Sequence, residues 1–164
     1  MQIGVMSDTH NNENNTRQAL EIFRRRGVER IIHCGDITAP RIVALFDGWR
    51  VDFLLGNIDR EPDALREAVA QLECASLGRQ WAEEIDGVRL AATHGHDEAL
   101  LRSLIGSGHN HYVFHGHSHR RRDEVVGGTR VVNPGALGGL RPQTRSVCVI
   151  ALAGGGVEFV QLTG

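Results

Sequence analysis

Lysine is missing from the chain. All 18 of its basic residues are arginine, which excludes a phosphate-loop lysine, a Schiff-base lysine and a lysine general base. A biased genomic composition explains that absence as well as any function does. Cysteine is scarce: Cys34, Cys74 and Cys148 are an odd number with no close pair. They offer neither a disulfide framework nor a zinc ribbon, and a reducing, cytoplasmic location is expected. Aromatic residues make up 5% and the net charge is −2, too little stacking surface and basic field for a nucleic-acid groove. No apolar run reaches the roughly 18 residues of a membrane-spanning helix. The first residues run straight into Ser7-Asp8 with no basic stretch ahead of a long apolar one, so no signal peptide is expected.

What is present is ordinary globular composition, 41% hydrophobic and 23% charged over 164 residues. That length suits a single domain, 1–164, able to bury a core without disulfides. Histidine is the enriched residue: of nine, five fall between His109 and His119.

The first half alternates. Gln2–Met6, Arg30–Cys34 and Val51–Leu55 are short apolar runs that predict strands. Thr16–Arg26, Pro40–Asp47 and Glu61–Leu72 have helical spacing, with Gly27 ending the first helix and Pro40 and Pro62 near the starts of the others. This is the pattern of a mostly parallel sheet with helices on its faces. In the second half, Gln80–Ile85 and Val88–Ala92 flank Asp86-Gly87, a hairpin signal, and Asp97 caps a helix running to Ile105. Then Tyr112–His115, Asp123–Val126, Arg130–Asn133, Ser146–Leu152 and Val157–Leu162 are β-rich runs between glycine turns. The second half therefore predicts a largely antiparallel arrangement. Together the halves fit an α/β fold, a layered α/β/β/α sandwich.

Chemistry-bearing residues recur just past the predicted strands: Asp8-Thr9-His10, Gly35-Asp36, Gly56-Asn57-Ile58-Asp59, His94-Gly95-His96, and His115-Gly116-His117-Ser118-His119. Open α/β sheets bind their ligands at that end of the strands. Each motif alone is weak: an isolated Asp-x-His is more often a turn with a capping Asp, and an Asn in a turn is usually a turn residue. Five strand ends in succession that deliver Asp, Asn or His, and never Cys, are poorly explained by capping. If 115–119 is extended, His115, His117 and His119 share one face. Carboxylate, amide and imidazole donors without thiolate suit Mn²⁺, Fe²⁺, Ni²⁺ or Zn²⁺. Seven donors exceed the need of one hydrated ion and suit two ions sharing a carboxylate, which can acidify a water and clamp a phosphoryl oxygen.

The ordered set Asp8-x-His10, Gly35-Asp36, Gly56-Asn57-x-Asp59, His94-Gly95-His96 and Gly116-His117-x-His119 resembles the calcineurin-like metallophosphoesterase family. Ser7-Asp8-Thr9-His10, Asn133-Pro134-Gly135 and the short length resemble its small prokaryotic phosphodiesterase branch. The resemblance covers about residues 1–140 and implies a four-layer sandwich of two mixed β-sheets flanked by helices. It implies that Asp8, His10 and His119 hold one divalent ion, that Asn57, His94 and His117 hold a second, and that Asp36 bridges them, with Mn²⁺ the first choice of metal. Asp59 would orient the Asn57 amide or a neighbouring ligand, and His96 would face the cleft without ligating. The implied reaction is hydrolysis of small or nucleotide-derived phosphodiesters by a metal-bridging hydroxide. A phosphomonoesterase on the same site and a non-catalytic scaffold of the same fold are the alternatives, and nothing in the sequence speaks for or against association of copies of the chain.

Two departures from the family pattern matter. Larger members carry histidine after the Gly-Asn pair, where it assists the leaving group; here that residue is Ile58. Asn11 stands where the branch often has glycine. Cys34, ending an apolar strand, is expected as a core thiol. Arg24-Arg25-Arg26 at a helix end is expected as a solvated face, whereas Arg120-Arg121-Arg122, directly after His119, offers a guanidinium that could reach a phosphate.

Overall fold

The computed structural model describes residues 1–140 and 144–163. In chain order they form β1 (Gln2–Met6), α1 (Glu13–Arg25), β2 (Arg30–His33), α2 (Pro40–Val43) with a 3₁₀ turn at Ala44–Phe46, β3 (Val51–Leu54), α3 (Pro62–Val69), β4 (Ala75–Gly78), β5 (Gln80–Ile85), β6 (Val88–Thr93), α4 (Glu98–Gly106), β7 (Tyr112–Phe114), β8 (Arg122–Val126), β9 (Thr129–Asn133), β10 (Ser146–Ala151) and β11 (Gly156–Gln161). One sheet has the order β11-β10-β1-β2-β3-β4 and the other β5-β6-β7-β9-β8. In the first, β1 to β4 are parallel neighbours and β10 and β11 are antiparallel additions.

Side-chain alternation explains the layers. Ile3, Val5, Ile32, Cys34 and Leu54 point to one face of the first sheet and meet Leu90, Ala92, Phe114 and Val132 of the second, forming the core between the sheets. Met6, Ile31, Val51 and Phe53 point to the other face and meet Leu20 and Phe23 of α1, Ile42 and Val43 of α2, and Leu65 and Val69 of α3. A parallel sheet buried on both faces needs such nearly continuous apolar strands. On the far side, α4 packs on β6 and β9. The result is the four-layer sandwich of two mixed sheets.

Helix α1 shows how local sequence sets these contacts. Asn12 caps it by accepting from the Asn15 amide at 3.0 Å, and Gly27, at φ 64°, ends it in a left-handed turn. Thr16, Ala19, Leu20 and Phe23 form its buried stripe. Gly4 lets it approach, since a Cβ there would lie 2.8 Å from the Phe23 ring.

Two expectations needed correction. β4 had no prediction, and the centre of the second sheet is parallel, β6 to β7 and β7 to β9. The reason is that α4 carries the chain back between β6 and β7, as a parallel pair requires. β5 on β6, β8 on β9 and β10 on β11 are antiparallel hairpins, turning at Asp86-Gly87, Gly127-Gly128 and the glycines before Gly156 as those segments suggest.

At the end of the sandwich where β2 begins, Arg30 pins the sheets together. Its Nε donates to Asp52 at 2.7 Å, and its two terminal nitrogens donate to the Glu83 carboxylate of β5 at 2.8 and 2.6 Å. Its guanidinium also lies over the Trp81 ring, and its side chain is 4% exposed. Removing one member of a buried ion pair leaves its partner's charge unanswered, at about 3–5 kcal/mol. Arg30→Met is therefore expected to lower unfolding free energy by that amount, read from urea denaturation, because Asp52 stays buried. Glu83→Gln, at a more exposed position, is expected to cost less than about 1 kcal/mol. The hydrogen bond from Arg30 holds the Glu83 carboxyl below its ordinary pKa, so its contribution is intact at neutral pH and is lost as pH falls through the depressed value. Equal losses in the two variants would contradict this account of the pin.

Candidate metal centre

The C-terminal ends of β1, β2, β3, β6 and β7 open at one edge of the sandwich, and the loops that follow turn sharply. Asp8, His10, Asn11, Asp36, Thr38, His117 and His119 all have positive φ, between 43° and 73°. Among the described residues the other non-glycine at positive φ is Asp86, in a hairpin turn. Each such residue costs on the order of 1–3 kcal/mol and persists only where its surroundings hold it.

Asp8, His10, Asp36 and His119 form the first donor group, with one ligand atom from each lying within 4.8 Å of all the others. His10 Nε2 is 3.1 Å from His119 Nε2. Asp8 Oδ1 faces those nitrogens at 3.7 and 3.1 Å and, though buried, has no hydrogen-bond donor among the described residues. Burial works to raise the Asp8 pKa, but its contacts with His10 and His119 outweigh that and hold it well below the carboxylate range. The His119 Nδ1 is likewise buried without a partner among the described residues. Gly139 closes over this group: a Cβ there would lie 2.9 Å from the His119 ring and 3.2 Å from that of His10.

Asn57, His94 and His117 form the second group. His94 Nδ1 donates to the Cys34 carbonyl at 2.7 Å, which leaves the lone pair of the neutral ring on Nε2. That lone pair faces Asn57 Oδ1 at 3.1 Å and Asp36 Oδ2 at 3.4 Å. Asn57 Oδ1 and Asp36 Oδ2 thus converge on that nitrogen, an arrangement that either a divalent ion or a proton on Nε2 satisfies. Burial opposes a charged His94, but Asp36 and Asp8 outweigh it and raise its pKa. The His117 ring lies 5.2 Å from that of His94. Asp36 faces both groups, since its Oδ2 is also 3.8 Å from His10 Nε2. Its pKa is lowered, burial being outweighed by the hydrogen bond and charge of His94. By donor type and proximity Asp8, His10, Asp36 and His119 fit a divalent ion, and Asn57, His94 and His117 lie beside them.

The supports lie beneath. Asp59 accepts from the backbone amides of Asp36 at 3.0 Å, Thr38 at 2.7 Å and Gly56 at 2.7 Å. It grips the loop backbones and not the Asn57 amide, and burial raises its pKa. Gly56 must be glycine, because a Cβ would lie 2.0 Å from Asp36 Oδ1. His96 is exposed, with its ring 5.4 Å from His94 and 6.3 Å from His117.

Sequence reasoning missed His33. Its Nδ1 accepts from the Gly35 amide at 3.2 Å, so Nε2 carries the proton and donates to Thr9 Oγ1 at 3.2 Å. Thr9 in turn donates to the Asp36 carbonyl. Burial pushes the His33 pKa down to about 4, so this link between the first two loops stays neutral. A histidine ending an otherwise apolar strand just before Gly35-Asp36 was the signal.

The shared face of His115, His117 and His119 is a correction. β7 ends at Phe114, and alternation fails because His117 and His119 are left-handed. His115 turns away from the donor groups, accepts from Arg122 at 3.4 Å on Nε2, and is held by burial at a pKa of about 4. Of the arginine run, Arg121 bonds Ser146 and Arg122 bonds Glu124, while Arg120 is exposed. Arg24 and Arg25 pair with Glu21, and Arg26 with Glu158, a solvated face as expected.

Comparison with known proteins agrees with this geometry. Residues 1–155 match the calcineurin-like phosphoesterase superfamily domain. Phosphodiesterase MJ0936 of Methanocaldococcus jannaschii is 36% identical over 138 residues, 82% of this chain and 83% of that protein. The solved structure of an archaeal phosphodiesterase superposes with a TM-score of 0.93 at 32% identity, covering 99% of this chain and 100% of that one. The phosphoesterase Yfce from E. coli shares the fold at a TM-score of 0.69 and 20% identity, over 99% of this chain and 100% of its own. The chain belongs to the calcineurin-like phosphoesterase superfamily. Members of this superfamily use divalent metal ions, and the donor groups at the strand ends are this chain's candidate site for them.

Neutral imidazole binds a metal ion, so protons compete with it. Because carboxylates raise the His94 pKa, competition begins above the ordinary histidine value of about 6.5. Protein loaded with Mn²⁺ at pH 8 is expected to lose bound metal progressively as pH falls to 5, measured by equilibrium dialysis and elemental analysis. Full retention at pH 5 would contradict a centre built on four histidines.

Proposed function

We propose that the protein is a metal-dependent phosphodiesterase of two divalent ions, acting as one domain in the cytoplasm on small-molecule phosphodiesters, nucleotide-derived ones included. The observation that carries this reading is Asp36, whose Oδ2 faces His10 Nε2 at 3.8 Å and His94 Nε2 at 3.4 Å. A carboxylate shared in that way is what a bridging ligand requires. In this reading Asp8, His10 and His119 hold one ion, Asn57, His94 and His117 the other, with Mn²⁺ the first choice and Ni²⁺, Fe²⁺ or Zn²⁺ compatible with the same donors.

When bound, the ions would supply an acidified water and neutralise charge on the phosphoryl oxygens. The chain's own residues have separate tasks. Asp36 keeps the two donor groups at a fixed separation. Asp59 holds the Asp36 amide and the Gly56 amide to one carboxylate, so the β2 and β3 loops move together. Ile58 offers no proton to a leaving group; its backbone amide donates to Asp36 Oδ1. His96, beside His94 and His117, ligates nothing in this reading and is the titratable side chain that faces the cleft.

Asp36→Asn is expected to lose more activity than the change of any single terminal ligand, because it weakens both ions at once. A variant that binds two metal ions and stays within tenfold of the parent on bis-p-nitrophenyl phosphate would overturn the bridge. General acid assistance is typically worth about 10²–10⁴-fold, and Ile58 cannot provide it. The parent is therefore expected to prefer aryl over alkyl diesters steeply, and Ile58→His to narrow that ratio. If the parent shows little leaving-group dependence and His96→Ala makes it steep, His96 is the acid. Faster turnover of aryl monoesters than of aryl diesters would favour the phosphomonoesterase alternative.

A further inference from the structure

Asn133 ends β9, the neighbour of β7, and is fully buried. The loop after β7 carries His117 and His119, one for each donor group and both left-handed. Backbone pairing does little to hold that loop: Gly116 donates to His94 O and Ser118 to Gly116 O. Asp8 Oδ2 accepts from the His117 amide at 3.1 Å, and the Asn133 carboxamide holds the groups on either side of it. Its Nδ2 donates to Gly116 O at 2.8 Å and to Ser118 Oγ at 3.1 Å. Its Oδ1 accepts from the Gly135 amide at 2.9 Å, which settles which end of the amide faces the loop.

The donor accounting closes. Nδ2 also lies 3.3 Å from His115 Nδ1, but Arg122 donates to Nε2 of that ring. The proton of the neutral His115 ring then sits on Nδ1, which donates to Gly116 O at 3.1 Å. The two hydrogens of Nδ2 therefore go to Gly116 O and Ser118 Oγ. These atoms flank His117, and Ser118 separates His117 from His119.

We propose that Asn133 is a positioning residue of the metal centre: its carboxamide holds the 116–118 backbone so that His117 and His119, two residues apart, face different ions. This rests on the two-ion reading above. Loss of such an outer partner typically weakens metal binding about 10–100-fold.

The test titrates metal-free protein with Mn²⁺, reading free Mn²⁺ and the bound spectrum by electron paramagnetic resonance, with circular dichroism and thermal melts of the metal-free protein alongside. Asn133→Asp keeps the shape and the acceptor for Gly135 but turns an oxygen toward Gly116 O and Ser118 Oγ. It is expected to bind Mn²⁺ about 10–100-fold more weakly and to lose the spin-coupled two-ion spectrum while remaining folded. Parent-like affinity and spectrum would overturn the proposal. Should Asn133→Asp fail to fold, Ser118→Ala, on the exposed loop, removes one of the two contacts. A loss of about threefold or more is expected there, and parent-like binding would overturn the proposal. A parent that binds no Mn²⁺ would overturn the two-ion reading and this inference together, whereas a parent that binds two ions beside unaltered variants overturns this inference alone.

Discussion

Two buried carboxylates, Asp8 and Asp36, set the problem that the rest of the molecule answers. A charge taken out of water is costly unless it is paired, and among the described residues neither carboxylate pairs with an arginine. Their neighbours are imidazole nitrogens and one another. Asp8 divides its oxygens: Oδ1 faces His10 and His119, while Oδ2 accepts from the His117 backbone amide at 3.1 Å. Asp36 divides its own between the Ile58 amide and the two imidazoles that flank Oδ2. Each carboxylate thus spends one oxygen on fixing a neighbouring loop and leaves the other facing imidazole nitrogens. The left-handed loops follow from this, because short extended connections could not turn so many donor atoms inward at once.

The donor types were legible in the sequence because the fold is regular up to the point where the site begins. Apolar runs end at Met6, Cys34, Leu55 and Ala92, and the polar residues that follow each run are those the structure gathers. What periodicity could not read was everything after the strand ends. Alternation assumes extended backbone, so it placed His115 with His117 and His119, whereas positive φ at the last two sends His115 into a contact with Arg122. The parallel centre of the second sheet was hidden for a related reason, since strand runs carry no sign of direction and only the crossover through α4 decides it. β4, four residues reading Ala-Ser-Leu-Gly, has no alternation to detect. His33, though marked by its place before Gly35-Asp36, and Asn133 showed no partner in the sequence, because each acts through hydrogen bonds to a distant segment, Thr9 for one and the Gly116–Ser118 loop for the other.

The two donor groups also explain why the relative position of the sheets matters. In each group the donors come from both sheets: Asp8, His10 and Asn57 follow strands of the first, His94, His117 and His119 follow strands of the second, and Asp36 faces both groups. The core between the sheets is apolar and does not by itself define direction. Arg30, joining β2 to β5 through Glu83 at the other end of the sandwich, supplies a directional contact that the apolar core lacks. Ions held at one end would then act as a second cross-link between the same two sheets. Anything that binds the folded state and not the unfolded one stabilises it by mass action, so metal binding and sheet packing are coupled through the same side chains. The coupling runs both ways: a shift of one sheet against the other would spread the donors of both groups, and ions held between those donors would resist the shift.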